Sequence, residues 1–71
     1  MRKTFLVCIR NDGYEASLER RKLYETMPDA EAAKHSQVRI IDESGEDYIY
    51  PAEWFAPVTL SSRTRKSLAA V

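Results

Sequence analysis

The 71-residue sequence predicts an all-β fold of five short strands that curl into a small barrel, with one short helix between the second and third strands. Two observations carry this prediction. Residues 38–50 have the residue order of a β-hairpin, and two further segments of strand length precede them. Residues 1–60 are expected to form a single domain, and residues 61–71 a basic, flexible tail.

The hairpin is the most clearly marked element. Asp42-Glu43-Ser44-Gly45 has the order of a type I turn closed by a glycine bulge, because Gly45 lies where the chain must adopt a positive φ. This turn sets the register of the two strands. The pairing places four apolar side chains on one face, namely Val38, Ile40, Tyr48 and Tyr50.

Four carboxylates surround this turn: Asp42, Glu43, Glu46 and Asp47. Calcium loops need more ligands at longer spacing, so a cation site is not predicted here. We expect the turn to be a solvated acidic tip.

The segments before the hairpin alternate between strand and turn signals. Residues 3–10 lack Gly and Pro and predict a strand covered on both sides, which ends at Asn11-Asp12-Gly13. Residues 14–21 form either a short helix or a loop that folds back over the barrel with Leu18 as its apolar anchor. Residues 22–27 predict the second strand.

The remaining signals are cap and proline signals. Asp29 is a good N-cap for a short helix over residues 29–35, which carries cations at its end. Pro51 ends the second hairpin strand, because proline cannot donate to a ladder. Residues 52–55 are expected to make a tight turn, and residues 56–60 the last strand.

Composition excludes several classes of protein. The 11 basic and 11 acidic residues cancel, so no global field attracts nucleic acid or an anionic membrane. Cys8 is the single cysteine, cannot form an internal disulfide and is expected to be buried. No segment approaches the roughly 20 apolar residues that span a bilayer, and the first apolar run is too short for a signal peptide. We expect a cytoplasmic protein.

Tyr50-Pro51-Ala52-Glu53-Trp54-Phe55-Ala56-Pro57 resembles the end of Src-homology-3 domains. In that family an apolar residue, a proline, two variable residues, an aromatic and an apolar residue form a one-turn 3₁₀ helix before the last strand. The preceding hairpin matches in position as well. The resemblance implies a five-stranded Src-homology-3-like barrel. The chain also resembles small bacterial proteins of unknown function with a DESGEDYxYP-like core.

The resemblance implies a non-enzymatic module that binds a protein or an extended peptide. Pro51 and Trp54 match the family's proline and aromatic that line a peptide groove, whereas Tyr50 and Phe55 match core positions. Tyr14, in the long loop, could supply another wall. Alternatively the aromatic residues belong to the core, with Trp54 packed under the loop. The exposure of Trp54 decides between the two.

Two other functions remain open. Basic residues near the two termini would make a local patch able to hold RNA phosphates if the termini are neighbours, namely Arg2, Lys3, Arg63, Arg65 and Lys66. A structural homo-oligomer could instead pair through an exposed strand edge or the aromatic face.

Enzyme activity, metals and cofactors are not predicted. His35 is expected to cap the short helix, and together with Cys8 it offers neither a metal cluster nor a nucleophile–base pair with an orienting third group. The only glycines are Gly13 and Gly45, so there is no glycine-rich phosphate loop.

Overall fold

The computed structural model describes residues 4–69 as a mostly-β domain with one five-stranded antiparallel sheet and two short α-helices. The strand order is β4-β3-β2-β1-β5. The strands are β1 (Thr4–Cys8), β2 (Leu23–Met27), β3 (Gln37–Ile41), β4 (Asp47–Pro51) and β5 (Phe55–Pro57). The helices are α1 (Ala30–Lys34) and α2 (Ser62–Ala69), and a 3₁₀ turn (Ala52–Trp54) joins β4 to β5.

The 3₁₀ turn forces the sheet to curl. β4 and β5 lie at opposite edges of the five strands, yet the three residues Ala52–Trp54 connect them. A flat sheet would separate these edges by about 19 Å, four spacings of about 4.8 Å, whereas a 3₁₀ turn rises only about 2 Å per residue. The sheet is nevertheless not closed. The structure therefore confirms the five strands but not the predicted barrel.

The hairpin has the predicted register. Val38 pairs with Tyr50 and Ile40 with Tyr48. Gly45 has a φ of +84°, and its N–H donates to the carbonyl of Asp42 at 2.9 Å. The prediction of a type I turn with a glycine bulge is confirmed.

The long connection between β1 and β2, residues 9–22, is a loop and not a helix. We call it the excursion loop. Its turn at Asn11 is closed by the Tyr14 N–H, which donates to the Asn11 carbonyl at 2.8 Å. The Asn11 side chain donates to the carbonyl of Leu18 at 2.9 Å, and the Leu18 side chain is fully buried. Of the two alternatives for residues 14–21, the loop anchored by Leu18 is therefore correct.

The core lies between this loop and the concave side of the sheet. Its members are Cys8, Leu18, Tyr24, Ile40, Tyr50, Trp54 and Phe55, with Leu6 and Val38 packed against them. Tyr48 does not join them and remains 49% exposed, although it shares a face with Tyr50. An open groove separates Tyr48 from the excursion loop, so no element within residues 4–69 covers its ring.

The structure has a second helix where a flexible tail and no helix were predicted. α2 begins after Ser61, whose Oγ accepts a hydrogen bond from the Thr64 N–H at 3.1 Å. Ser61 is thus a favourable cap that was present in the sequence, but the apolar residues that follow have no helical period. β5 is also shorter than predicted and ends at Pro57 instead of Leu60. Neither α2 nor any other helix within residues 4–69 has the length and apolar character to cross a membrane.

Replacing Gly45 tests the turn. A Cβ added to Gly45 meets no described atom within 4 Å, so the cost of Gly45→Ala comes from the positive φ and not from a clash. We expect a loss of about 1–2 kcal/mol in the free energy of unfolding, measured by urea denaturation. Gly45→Asn is the matched control and should lose less, because Asn tolerates this conformation. Equal losses for the two variants would contradict a conformational cause.

Candidate functional site

A groove of about 340 Å³ lies between the excursion loop and the β3–β4 hairpin. The loop contributes Tyr14 and Ser17, and the hairpin contributes Asp42, Ser44 and residues 48–50. We call it the aromatic groove. Tyr14 and Tyr48 are each about half exposed, whereas Tyr50 is 4% exposed. Two tyrosines therefore form accessible walls, and the third belongs to the floor.

Tyr14 is held in place by backbone and ring contacts. Its carbonyl accepts hydrogen bonds from the N–H groups of Ser17 at 2.9 Å and Leu18 at 2.8 Å. Its ring meets Tyr50 edge-on at a centroid distance of 5.6 Å and Trp54 at the same distance. Such edge-to-face contacts are favourable for aromatic rings. This wall of the groove is therefore ordered before any ligand arrives.

Trp54 is a core residue. Its side chain is 9% exposed, lies under Tyr14 and stacks on Tyr50 at 6.4 Å. The Trp54 carbonyl accepts from the N–H of Ile9 at 2.7 Å, which ties the 3₁₀ turn to the start of the excursion loop. Of the three residues predicted to bind a peptide, the structure thus brings Tyr14 and Trp54 together. The burial of Trp54, however, decides for the alternative in which its ring packs under the loop as part of the core.

Pro51, the third predicted residue, precedes the 3₁₀ turn at its N-cap position and is partly buried. Tyr48, and not Trp54, is the second exposed aromatic residue beside Tyr14. The hairpin register already placed Tyr48 on the same face as Tyr50. The sequence did not indicate that Tyr48 would remain exposed, with none of the described elements packed over this end of the face.

The floor of the groove contains a buried carboxylate. Asp42 is only 6% exposed, so the expectation of a fully solvated acidic tip is corrected at this residue. The Tyr50 hydroxyl donates to Asp42 Oδ2 at 2.6 Å. Ser44 donates to Asp42 Oδ1 through its N–H at 2.9 Å and its hydroxyl at 2.5 Å. These donors compensate for the loss of water, which is what allows the carboxylate to be buried.

The pKa values in the floor follow from burial and these bonds. Burial by itself would raise the pKa of Asp42, but the hydrogen bonds from Ser44 and Tyr50 outweigh it and hold the pKa below its ordinary value. Burial, and then the Asp42 carboxylate, raise the pKa of Tyr50 to about 12. At neutral pH the pair is therefore a phenol donating to an ionised carboxylate.

Glu43 forms a second tyrosine–carboxylate pair at the same turn. It accepts hydrogen bonds from the Tyr24 hydroxyl and from Lys22 Nζ, and its own N–H donates to the carbonyl of Ser17 at 3.0 Å. Lys22 and then Tyr24 lower the pKa of Glu43. The hairpin turn is thereby bonded to the excursion loop by main chain and side chains, so the two walls of the groove are joined at one end.

The surroundings of the groove carry an excess of carboxylates. Asp12 and Glu15 flank Tyr14 in sequence, and Glu46 and Asp47 precede Tyr48. Arginines offset part of this charge, because Arg10 contacts Asp12 at 2.5 Å and Arg39 contacts Asp47 at 2.7 Å. A cationic ligand group near the groove would meet a favourable field.

The basic residues predicted to hold RNA are only partly described. Arg63 and Lys66 lie on α2 and are exposed. Arg2 and Lys3 lie outside the described residues, and so does the side chain of Arg65. A shared patch of these five residues therefore stays a prediction.

The titratable residues considered for chemistry lie apart from the groove. Cys8 is fully buried in the core, as predicted, and burial raises the pKa of its thiol. His35 ends α1, and its Nε2 lies 3.6 Å from Glu31 on the surface. Across residues 4–69, no three His, Cys, Asp or Glu side chains come together in a way that could hold a metal ion.

Comparisons with protein families, with curated proteins and with solved structures found no match to this chain. The groove and its electrostatics are thus the basis on which a function can be argued.

The buried pair in the floor can be tested with two tyrosine-to-phenylalanine variants. Tyr50→Phe removes the donor to Asp42 and leaves a buried carboxylate with fewer bonds, so the free energy of unfolding should fall by about 1.5–3 kcal/mol. Tyr48→Phe makes the same chemical change two residues away on a half-exposed ring and should change stability little. Urea denaturation of both variants measures the difference. Equal stabilities would show that the Tyr50 bond contributes nothing.

The same pair predicts a loss of stability at alkaline pH. The pKa of Tyr50 is about 12 in the folded protein and about 10 when unfolded, so between these values the unfolded chain has released a proton that the folded chain keeps. Unfolding therefore becomes more favourable as pH rises through this window, and the stabilisation is fully present below pH of about 10. Urea midpoints measured from pH 9 upward should fall less steeply in Tyr50→Phe than in the unmodified protein. Parallel pH profiles for Tyr50→Phe and the unmodified protein would contradict the assignment of the raised pKa to Tyr50.

Proposed function

We propose that the protein is a non-enzymatic binding module whose ligand is an extended segment of another protein, lying in the aromatic groove. The observation that carries this proposal is the exposure of Tyr14 and Tyr48 on opposite walls of one open groove of about 340 Å³. A domain this small needs its aromatic side chains for its core. Two of them left half exposed on facing walls are typical of a binding surface.

The fold proposed for this module is the Src-homology-3-like barrel. Two features support it: the strand order that places β5 beside β1, and the 3₁₀ turn between β4 and β5. The turn occupies Ala52–Trp54, the position that the resemblance implies. The proposed groove uses Tyr14, as the resemblance implies, but replaces Trp54 with Tyr48.

The groove suits an apolar or aromatic ligand side chain. Tyrosine rings offer a flat apolar surface with few rotatable bonds, and the contacts of Tyr14 with Tyr50 and Trp54 hold its ring before binding. A preformed wall reduces the entropy lost when a ligand binds. A proline or aromatic residue of an extended peptide would pack between Tyr14 and Tyr48.

Charge favours a basic segment. The carboxylates of Asp12, Glu15, Glu46 and Asp47 adjoin the two walls in sequence, and only Asp12 and Asp47 among them contact an arginine within the described ion pairs. A Lys or Arg next to the inserted side chain would therefore be attracted, and the attraction should weaken as salt is added. The proposed ligand is an extended basic segment with an aromatic residue or a proline.

A nuclear magnetic resonance titration tests this proposal. Peptides that combine Lys or Arg with aromatic residues or proline should shift the backbone amide signals of residues 12–17 and 44–50. Tyr14→Ala and Tyr48→Ala should each weaken binding at least about tenfold, the loss expected for a central aromatic contact. Met27→Ala is the matched control, because Met27 is 41% exposed and lines a different pocket.

The matching acidic peptides, with Asp or Glu in place of Lys or Arg, should bind more weakly. Two results would reject the proposal: the absence of shifts in both segments across the peptide set, or an equal loss of affinity in Met27→Ala.

A further inference from the structure

β4 forms one edge of the sheet, and hydrogen bonds at its two ends show which of its backbone groups face outward. The Asp42 N–H donates to the Glu46 carbonyl at 3.1 Å, and the Ala52 N–H donates to the Ser36 carbonyl at 2.9 Å. Bonding toward a neighbouring strand alternates along an antiparallel pair. The N–H and C=O groups of Tyr48 and Tyr50 therefore face β3.

The backbone groups of the intervening residues face away from the sheet. Asp47 and Ile49 each present an N–H and a C=O, and Pro51 presents a C=O alone. The Ile49 side chain at the middle of this edge is 37% exposed. Such a row of outward groups is a template on which another strand can pair.

We propose that β4 pairs antiparallel with β4 of a second copy of the chain, with Ile49 opposite Ile49 at the two-fold axis. In this register Ile49 exchanges two hydrogen bonds with its counterpart. The Asp47 N–H of each copy donates to the Pro51 carbonyl of the other, which makes four bonds in all. Pro51 lies opposite Asp47 of the other copy. Because Pro51 has no N–H, the exposed Asp47 carbonyl is the one outward group of the pairing without a partner.

The side chains select this register over its neighbour. An axis at Tyr48 also permits four hydrogen bonds, but it places the Asp47 carboxylate opposite Ile49. An axis at Ile49 instead pairs isoleucine with isoleucine on one face and tyrosine with tyrosine on the other. In both registers Asp47 lies opposite an apolar residue, Pro51 for the axis at Ile49 and Ile49 for the axis at Tyr48. Cross-strand pairs of matching character stabilise a sheet, so the isoleucine pair and the two tyrosine pairs favour the axis at Ile49.

The pairing connects to the aromatic groove. With Ile49 at the axis, Tyr48 of the second copy lies opposite Tyr50, at the groove that Tyr14 and Tyr50 line. Side chains of such a non-hydrogen-bonded pair approach closely. The ring of the second copy's Tyr48 would thus enter the groove, and self-association would compete with an external ligand. The pairing does not rest on the peptide proposal, because the chain itself supplies the strand and the ring.

Sedimentation of the full chain from about 10 µM to about 1 mM tests the pairing, because small interfaces dissociate in this range. The mean mass should rise toward that of a dimer with concentration. Ile49→Lys places like charges opposite each other at the axis and should remain monomeric throughout. Ile9→Lys is the matched control, because Ile9 is 47% exposed and follows the interior strand β1, and it should associate as the unmodified protein does.

A cysteine pair tests the register. Hydrogen-bonded antiparallel partners have Cα atoms about 5.5 Å apart, within reach of a disulfide, so Ile49→Cys should form a covalent dimer on mild oxidation. Tyr48→Cys and Ile9→Cys should do so at least about tenfold more slowly, and the native Cys8 is fully buried. Faster cross-linking of Tyr48→Cys would overturn the register.

Three sedimentation results would overturn the pairing: a monomer at every concentration, an Ile49→Lys variant that still associates, or an Ile9→Lys variant that loses association equally. Circular dichroism of Ile49→Lys shows whether the variant is folded. The outcomes also separate the two proposals. Association that depends on Ile49, without shifts from any peptide at concentrations where sedimentation finds a monomer, supports the pairing and rejects the peptide ligand. Peptide binding by a protein that stays monomeric supports the peptide ligand and rejects the pairing.

Discussion

The hydrogen bond from Tyr50 to the buried carboxylate of Asp42 is the interaction on which the rest of the structure depends. It joins the far end of β4 to the hairpin turn, and the same turn is bonded through Glu43 to Tyr24, Lys22 and Ser17. A chain of 71 residues has few apolar side chains to bury, so polar bonds between elements contribute a larger share of its order. Without them the excursion loop would depend on buried Leu18, the ring contacts of Tyr14 and a few main-chain bonds.

The same constraint shapes the groove. The loop contacts the hairpin turn through the bond between Ser17 and Glu43, and its Tyr14 ring contacts Tyr50 and Trp54. Trp54 is enclosed under the Tyr14 ring, whereas Tyr48 remains half exposed across the groove. The burial of one aromatic residue and the exposure of another are thus two results of one geometry. It also explains why the exposed aromatic surface lies along an edge strand.

The two proposals place two modes of recognition side by side, at an edge strand and at an aromatic groove. Backbone pairing along β4 would supply binding energy with little sequence preference, whereas the groove would select the side chain that enters beside Tyr14. β4 is short and carries Asp47 and Pro51 at its two ends, features that limit unspecific strand addition. In the proposed pairing only a strand in a matched register would use the outward groups of Ile49, so the pairing would be selective despite the short edge.

The sequence by itself determined the local elements of this protein. The Asp-Glu-Ser-Gly turn, the Asp29 cap and Pro51 act through backbone conformation and missing or added donors within a few residues, and these signals do not depend on the rest of the fold. The Ser61 cap was of the same kind, but a cap without an apolar period was too weak to predict α2. The hairpin register followed from its turn, which placed Tyr48 and Tyr50 on one face before any packing was known.

Only the tertiary structure decided which side chains are buried. Asp42 is of a residue type that is usually solvated in a turn. Trp54 and Tyr48 are both aromatic residues near a proline, so the sequence does not distinguish them. Their fates depend on where the excursion loop crosses, and the loop is positioned by contacts distant in sequence: Ser17 with Glu43, Ile9 with Trp54, and Tyr14 with Tyr50. Burial is a property of the assembled surfaces. For that reason only the complete structure shows that Tyr48, and not Trp54, is the exposed aromatic residue of the groove.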